Sequence, residues 1–233
     1  NIPLLEDING TIWIASTRGL AAFNPQTGKF KVFNNNPADE QSLSGNNITS
    51  LFQDTNGDLW IGTSSGLNRL KYGSNNFYRY IHDQRDDFSI GNNFIRSILA
   101  DKSGNLWIAT EGGGLNRMIR GEGERVLFER FTAEKSGLNH NINLSLAIDK
   151  SDNLWIGTLS GINKTDLKRK NFSLYRKSDS PYAVNLAGNV IASIYEDENK
   201  MIWIGNWGQG LNIYNRKTGG VTHYSSLLKG KYY

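Results

Sequence analysis

Apolar and polar residues alternate along this chain in short runs with the two-residue period of β-strands, and the runs come in sets of four. The second set is the clearest. Residues 48–53 (Ile-Thr-Ser-Leu-Phe-Gln), 59–63 (Leu-Trp-Ile-Gly-Thr), 67–70 and 77–80 read as four successive strands. Between the first two, Asp54-Thr55-Asn56-Gly57 is hairpin chemistry, since Asn-Gly accepts the positive φ that a tight turn requires. The second strand breaks the alternation. It is apolar on both faces, with Trp60 and Gly62 on one and Leu59, Ile61 and Thr63 on the other. Both faces must be covered, and the natural cover for a repeated sheet is the next copy of itself.

Copies are present. The stretch 54–63 recurs at 7–16, 101–110, 149–158 and 197–206, and its tryptophans, Trp13, Trp60, Trp107, Trp155 and Trp203, are 47, 47, 48 and 48 residues apart. The prediction is an all-β fold, a β-propeller of five four-stranded antiparallel blades of about 47 residues. The blades fall near 1–33, 47–80, 94–131, 142–175 and 190–224 of a single domain, 1–233, that is either a closed five-bladed ring or an arc of a larger one. A small residue two places after each tryptophan (Ala15, Gly62, Ala109, Gly157, Gly205) is expected to leave room for the indole or a neighbouring backbone. In the connections between units, Leu43, Ile90, Leu138 and Leu186 are expected to plug the crossovers, and Asn46, Asn93, Asn141 and Asn189 to cap backbone. Asp7, Asp54, Asp101, Asp149 and Asp197 each precede a tryptophan by six. A catalytic carboxylate belongs to one special copy; a carboxylate in every copy is read as an acceptor for hairpin N–H groups. The tryptophans and Asn68, Asn116, Asn163 and Asn212 are likewise assigned to packing and hydrogen bonding within blades.

At these residues the sequence resembles the two-component regulator propeller repeat. That repeat runs Asn-x-Ile, a short apolar strand, Asp-x-x-Gly-x-Leu-Trp-Ile-Gly-Thr, Gly-Leu-Asn and Phe-x-x-Tyr, and it stands here as 46–48, 54–63, 66–68 and 77–80. Departures are local: Ala21 replaces the strand Asn in the first unit, and Asp152 and Lys200 replace the turn Gly in the last two. The resemblance implies an extracytoplasmic (periplasmic) sensor region of a hybrid two-component histidine kinase of Bacteroidota. Such regions carry propellers of about seven blades, often in tandem, followed by a β-sandwich, a membrane helix and a kinase. It further implies an oligosaccharide or other small ligand linked to polysaccharide use, contacts with adjoining propeller or sandwich domains, and a dimer in the full-length protein. No enzymatic activity is expected of this segment, and attachment to a membrane only through segments not in it.

Composition changes this picture little. Among 233 residues, 25 glycines and 4 prolines suit many short strands and turns, and a net charge of +4 is read as a solvated surface, with no nucleic-acid partner. The absence of cysteine excludes a disulfide framework and thiol catalysis. No run of 18 apolar residues is present, and a chain starting at Asn1 without a leader pattern is expected to be an excerpt of a longer protein.

Functional residues on a repeat scaffold are sought where copies disagree. The hairpins between first and second strands are uniform, whereas the turns between second and third strands read Thr17-Arg18, Ser64-Ser65, Glu111-Gly112-Gly113, Leu159-Ser160 and Trp207-Gly208-Gln209. Trp207 in a turn offers a stacking platform for a sugar ring, with Asn206, Gln209, Arg18 and Glu111 supplying hydrogen bonds. The alternative is that Trp207 packs on a crossover such as Pro181-Tyr182, or on an adjoining domain. His82, His140 and His223 lack metal-ligand spacing, so neither metal nor cofactor is expected. Gly112-Gly113-Gly114 lacks the Lys-Ser/Thr of a phosphate loop. Lys168-Arg169-Lys170 and Arg216-Lys217 are read as solvated loops. A propeller lyase or hydrolase, with His140 and Glu111 as its acid–base pair, and a docking scaffold in an envelope or secretion complex are the alternative functions.

Overall fold

In a computed structural model of the chain the described residues are 3–120, 125–167, 172–177 and 185–224. They form five four-stranded antiparallel sheets, each a meander in chain order. The first blade is β1 (Leu4–Glu6), β2 (Ile12–Ser16), β3 (Gly19–Asn24) and β4 (Lys29–Phe33); the second is β5 (Ile48–Gln53), β6 (Leu59–Thr63), β7 (Gly66–Leu70) and β8 (Phe77–Tyr80). The third is β9 (Ile95–Ala100), β10 (Leu106–Thr110), β11 (Leu115–Arg120) and β12 (Val126–Phe131), followed by a one-turn helix α1 (Ala133–Ser136). The fourth is β13 (Asn143–Ile148), β14 (Asn153–Thr158), β15 (Gly161–Asp166) and β16 (Phe172–Tyr175); the fifth is β17 (Ile191–Glu196), β18 (Met201–Asn206), β19 (Gly210–Asn215) and β20 (Val221–His223). This is the expected all-β propeller architecture. The blades belong to two compact units, Asn1–Arg130 and Phe131–Tyr233. No helix among the described residues is long and apolar enough to cross a membrane.

Each unit is held together by blade-on-blade packing. In the first, Trp13 and Ala15 of β2 meet Leu59 and Ile61 of β6, and Trp60 of β6 meets Leu106 and Ile108 of β10. In the second, Trp155 of β14 meets Ile202 and Ile204 of β18. Within each unit the tryptophan face of one blade thus covers the branched-aliphatic face of the next, which is why β6, with a neighbour on either side in its unit, is buried along its whole length. Leu43, Ile90 and Leu186 are sealed inside the same clusters at 0%, 0% and 1% exposure.

The small residue after the tryptophan clears space for other neighbours than those expected. A Cβ on Gly62 would lie 2.2 Å from Ser50 Oγ and 2.7 Å from Ile95 Cγ2, the start of the next blade, and Gly157 meets Ser145 and Ile191 in the same way. In the first blade Ala15 stands across from Pro3, with no serine to meet.

The hairpin turn has one left-handed residue, not two. Gly57 has φ +83°, its N–H donates to Asp54 O at 3.0 Å, and Asp54 N–H donates to Asp58 O at 3.0 Å. That is a turn closed by a single bulged glycine. In the fourth and fifth blades the same position holds Asp152 (φ 65°) and Lys200 (φ 64°), the two non-glycine residues with positive φ among those described.

The crossovers are tied down by side chains. Asn46, Asn93, Asn141 and Asn189 each accept a backbone N–H from the start of their crossover, at 2.7, 2.7, 2.7 and 2.6 Å. The buried third-strand Asn68, Asn116, Asn163 and Asn212 accept the N–H of the residue after each plug, at 2.8, 2.8, 3.2 and 2.9 Å. Arg79 and Arg130, in fourth strands, add donors to crossover carbonyls of Asp39 and Ser42, and of Asp86 and Ser89.

Candidate functional site

The repeated carboxylates are spent inside the hairpins. Each accepts the indole N–H of its tryptophan: Asp7–Trp13 at 2.8 Å, Asp54–Trp60 at 3.0 Å, Asp101–Trp107 at 3.0 Å, Asp149–Trp155 at 2.7 Å and Asp197–Trp203 at 2.8 Å. The other oxygen takes turn N–H groups, as Asp54 does from Asn56 and Asp58 at 2.9 and 3.1 Å. The backbone role was legible in the sequence; the indole partner was not. Burial opposes the charge on Asp149, but the N–H of Asn153, the indole of Trp155, the Asn153 amide and Arg216 outweigh it and hold the carboxyl below its ordinary range.

The variable turn of the fifth blade presents Trp207 almost entirely to solvent, at 77% exposure. Its backbone is fixed: Trp207 N–H donates to Val190 O at 2.9 Å, and Gly208 and Gly210 on either side of Gln209 have positive φ. Asn206, expected to reach a ligand, does not. It is buried, its amide donates to Gly188 O at 2.6 Å, and its carbonyl accepts from Asn212, so it holds the turn instead. Gln209 is exposed and folds against Gly188, whose missing Cβ makes room for it. Trp207 and Gln209 therefore share one turn. Arg18 is exposed in the corresponding turn of the first blade, where its N–H donates to Ser16 Oγ at 3.0 Å. Glu111, in the third, is ion-paired with Arg96, which also lies 4.3 Å over the Phe94 ring. The Pro181-Tyr182 and Lys168-Arg169-Lys170 segments lie outside the described residues.

Other sequence candidates are engaged locally. His140 Nδ1 accepts the N–H of Ile142 at 2.9 Å, His82 Nδ1 is 2.8 Å from Ile90 O, and His223 Nδ1 is 2.6 Å from Asn212 Oδ1. Among the described residues no group of three or more His, Cys, Asp or Glu is placed to hold a metal ion. Arg216, expected to be solvated, instead enters a mostly buried ion-pair cluster, 3.1 Å from Asp149 and 3.0 Å from Glu196. A carboxylate held in a dry hairpin attracts a guanidinium that water does not compete for.

A groove that the sequence reading passed over lies at the hairpin ends of the first two blades. It measures ≈ 370 Å³ and is lined by Trp13, Ala22, Lys31, Phe33, Tyr72 and Asn75, among others. Its origin is one column of the repeat. The residue paired across from each tryptophan covers the indole with a cation in the middle blades: Arg69 at 5.5 Å from Trp60, Arg117 at 5.8 Å from Trp107, Lys164 at 5.3 Å from Trp155. In the first blade that position is Ala22. The Asp58 that pairs with Arg69 is likewise Thr11 there. Comparing the third-strand residues down the copies would have found it.

The protein-family description "Two component regulator propeller" matches residues 42–65, 89–112, 136–160 and 185–208, each match running from the end of a crossover into the second-to-third-strand turn. No curated protein matches the chain. Among solved structures, the chain is similar to the extracellular domain of a Bacteroides thetaiotaomicron protein described as a hybrid two component system. The two share 24% identity at a TM-score of 0.79, over 94% of this chain and 29% of that one. PorZ of Porphyromonas gingivalis, a surface component of the type-IX secretion system, is similar at 14% identity and a TM-score of 0.71, over 96% of this chain and 33% of that one. Virginiamycin B lyase of Staphylococcus aureus, solved in a catalytically inactive form with quinupristin, is similar at 14% identity and a TM-score of 0.67, over 97% of this chain and 70% of that one. The chain thus spans less than a third of the length of the extracellular domain it matches, and these likenesses establish the propeller fold. By register and residue, those four stretches carry the two component regulator propeller repeat.

Proposed function

We propose that this chain is part of the extracytoplasmic, periplasmic sensor region of a hybrid two-component protein and that it binds an oligosaccharide through the turn carrying Trp207. One observation carries the reading: a tryptophan at 77% exposure, on a backbone fixed by Val190 O and followed by Gly208, where the other copies carry Thr17, Ser64, Glu111 and Leu159. An indole left in water on a rigid turn is a stacking surface already paid for in conformational entropy. Gln209 supplies an amide beside it. Bound ligand shifts the relative placement of protomers or adjoining domains in the full-length protein by no more than its differential affinity for the two arrangements. Control of polysaccharide use is the output this reading assigns to that shift.

The function is binding, not catalysis. The lyase alternative needs His140 and Glu111 as a mobile acid–base pair, whereas His140 Nδ1 accepts a backbone N–H and Glu111 is paired with Arg96. Calorimetric titration of an oligosaccharide panel into the wild-type chain and Trp207→Ala tests the proposal. The expected result is saturable heat for at least one oligosaccharide that the variant loses; equal binding by both removes Trp207 from the site.

A further inference from the structure

We propose that the groove between the first two blades is a second binding site, and that it takes one acidic pyranose unit of a glycan. The floor is apolar: Trp13 and Phe33, stacked at 5.8 Å between ring centroids, with Leu59 and Leu70 beyond the short side chain of Ala22. One wall is the Tyr72 ring, 56% exposed, set against Gly57 where a Cβ would come within 3.0 Å of it. Two exposed cross-blade hydrogen bonds frame the mouth, Tyr72 Oη to Asn9 Oδ1 at 3.2 Å and Lys31 Nζ to Asn75 Oδ1. Thr11 and Ser74 add hydroxyls to the lining.

This set of groups selects a ligand. Rings on floor and wall suit the C–H face of a pyranose, and amides and hydroxyls at the rim suit its equatorial hydroxyl groups. The volume of ≈ 370 Å³ is at the small end of the about 300–1,000 Å³ spanned by ligand pockets, enough for one sugar ring with its water. Charge decides the rest. The lining carries Lys31 and Lys71, and its one carboxylate, Asp7, is consumed by the N–H groups of Asn9 and Thr11 and the indole of Trp13. A carboxylate on the sugar takes the place of Asn75 on Lys31, exchanging a neutral acceptor for a charged one. The second and third blades fill the position of Ala22 with Arg69 and Arg117. The site lies in a different unit from Trp207 and stands without it.

The test is a ¹H–¹⁵N NMR titration of the chain with glucuronic acid and, separately, glucose. Saturable shifts of the Trp13 indole N–H and the amides of residues 71–75 are expected, with glucose weaker by about tenfold or more. Ala22→Arg restores the side chain that the next blades already accommodate and should abolish the shifts, with an unchanged Trp60 indole signal reporting intact blades. Lys31→Gln, at an exposed position, should bring glucuronate down to the affinity of glucose, and Trp207→Ala should change nothing. Absence of saturable shifts, their survival in Ala22→Arg, equal affinity for the two sugars, or their loss in Trp207→Ala would overturn the proposal.

Discussion

At the scale of single residues, the repeated aspartates and the left-handed turn position make separable predictions. Asp149 is held below the ordinary carboxylate range, so its stabilisation is present above about pH 4, the unfolded value, and is lost as pH falls through the folded one. Urea denaturation across the acid range should therefore show wild type losing stability more steeply with falling pH than Asp149→Asn. Asp152 and Lys200 occupy a conformation that costs a non-glycine residue about 1–2 kcal/mol, and Asp152 Oδ1 is buried without a partner. Asp152→Gly and Lys200→Gly should each raise stability by about 0.5–1 kcal/mol after the extra freedom of glycine in the unfolded chain is counted. Thermal denaturation checks it; a loss of stability would mean these side chains contribute contacts that the turn does not reveal.

At the scale of strands and crossovers, the second strand of each blade is the tightest fit. Gly62 already faces Ser50 and Ile95 at distances that leave no room for a methyl group, so Gly62→Val should cost about 1–3 kcal/mol, the range for overpacking a core. Chemical denaturation against Ala15→Val, which meets no serine across its strand pair, separates this local clash from a general intolerance of valine. Crossovers depend on donors from fourth strands. Arg79 donates to the carbonyls of Asp39, Ser42 and Leu43, so Arg79→Ala should raise amide exchange in residues 36–44 while leaving β5 and β6 protected. Uniform exchange across the blade would contradict a clamping role.

At the scale of the whole chain, the architecture was legible because five copies in register carry the same two-faced second strand, and only stacked sheets bury both faces. The hairpin aspartates and crossover asparagines were legible too, since a polar residue kept in every copy must satisfy something every copy has. What escaped depends on which strands become neighbours. The indole N–H reaches the aspartate because β5 and β6 pair Phe52 with Trp60, a register that residue spacing does not give. Arg216 reads as a loop cation until Asp149 and Glu196 are brought beside it. Asn206 reads as a free amide until Gly188 and Asn212 close on it. The Ala22 groove was hidden because variation was sought in turns, whereas the informative difference is a missing side chain within a strand.

Trp60 belongs to the scaffold and Trp207 to the binding surface. Thermal-denaturation midpoints of Trp60→Ala and Trp207→Ala, measured side by side on the full chain, test that division most directly. Trp60, 1% exposed and between two blades, should cost about 3–5 kcal/mol and a large drop in midpoint, whereas Trp207, 77% exposed, should leave the midpoint at the wild-type value. Equal falls in the two variants, or a fall confined to Trp207→Ala, would contradict it.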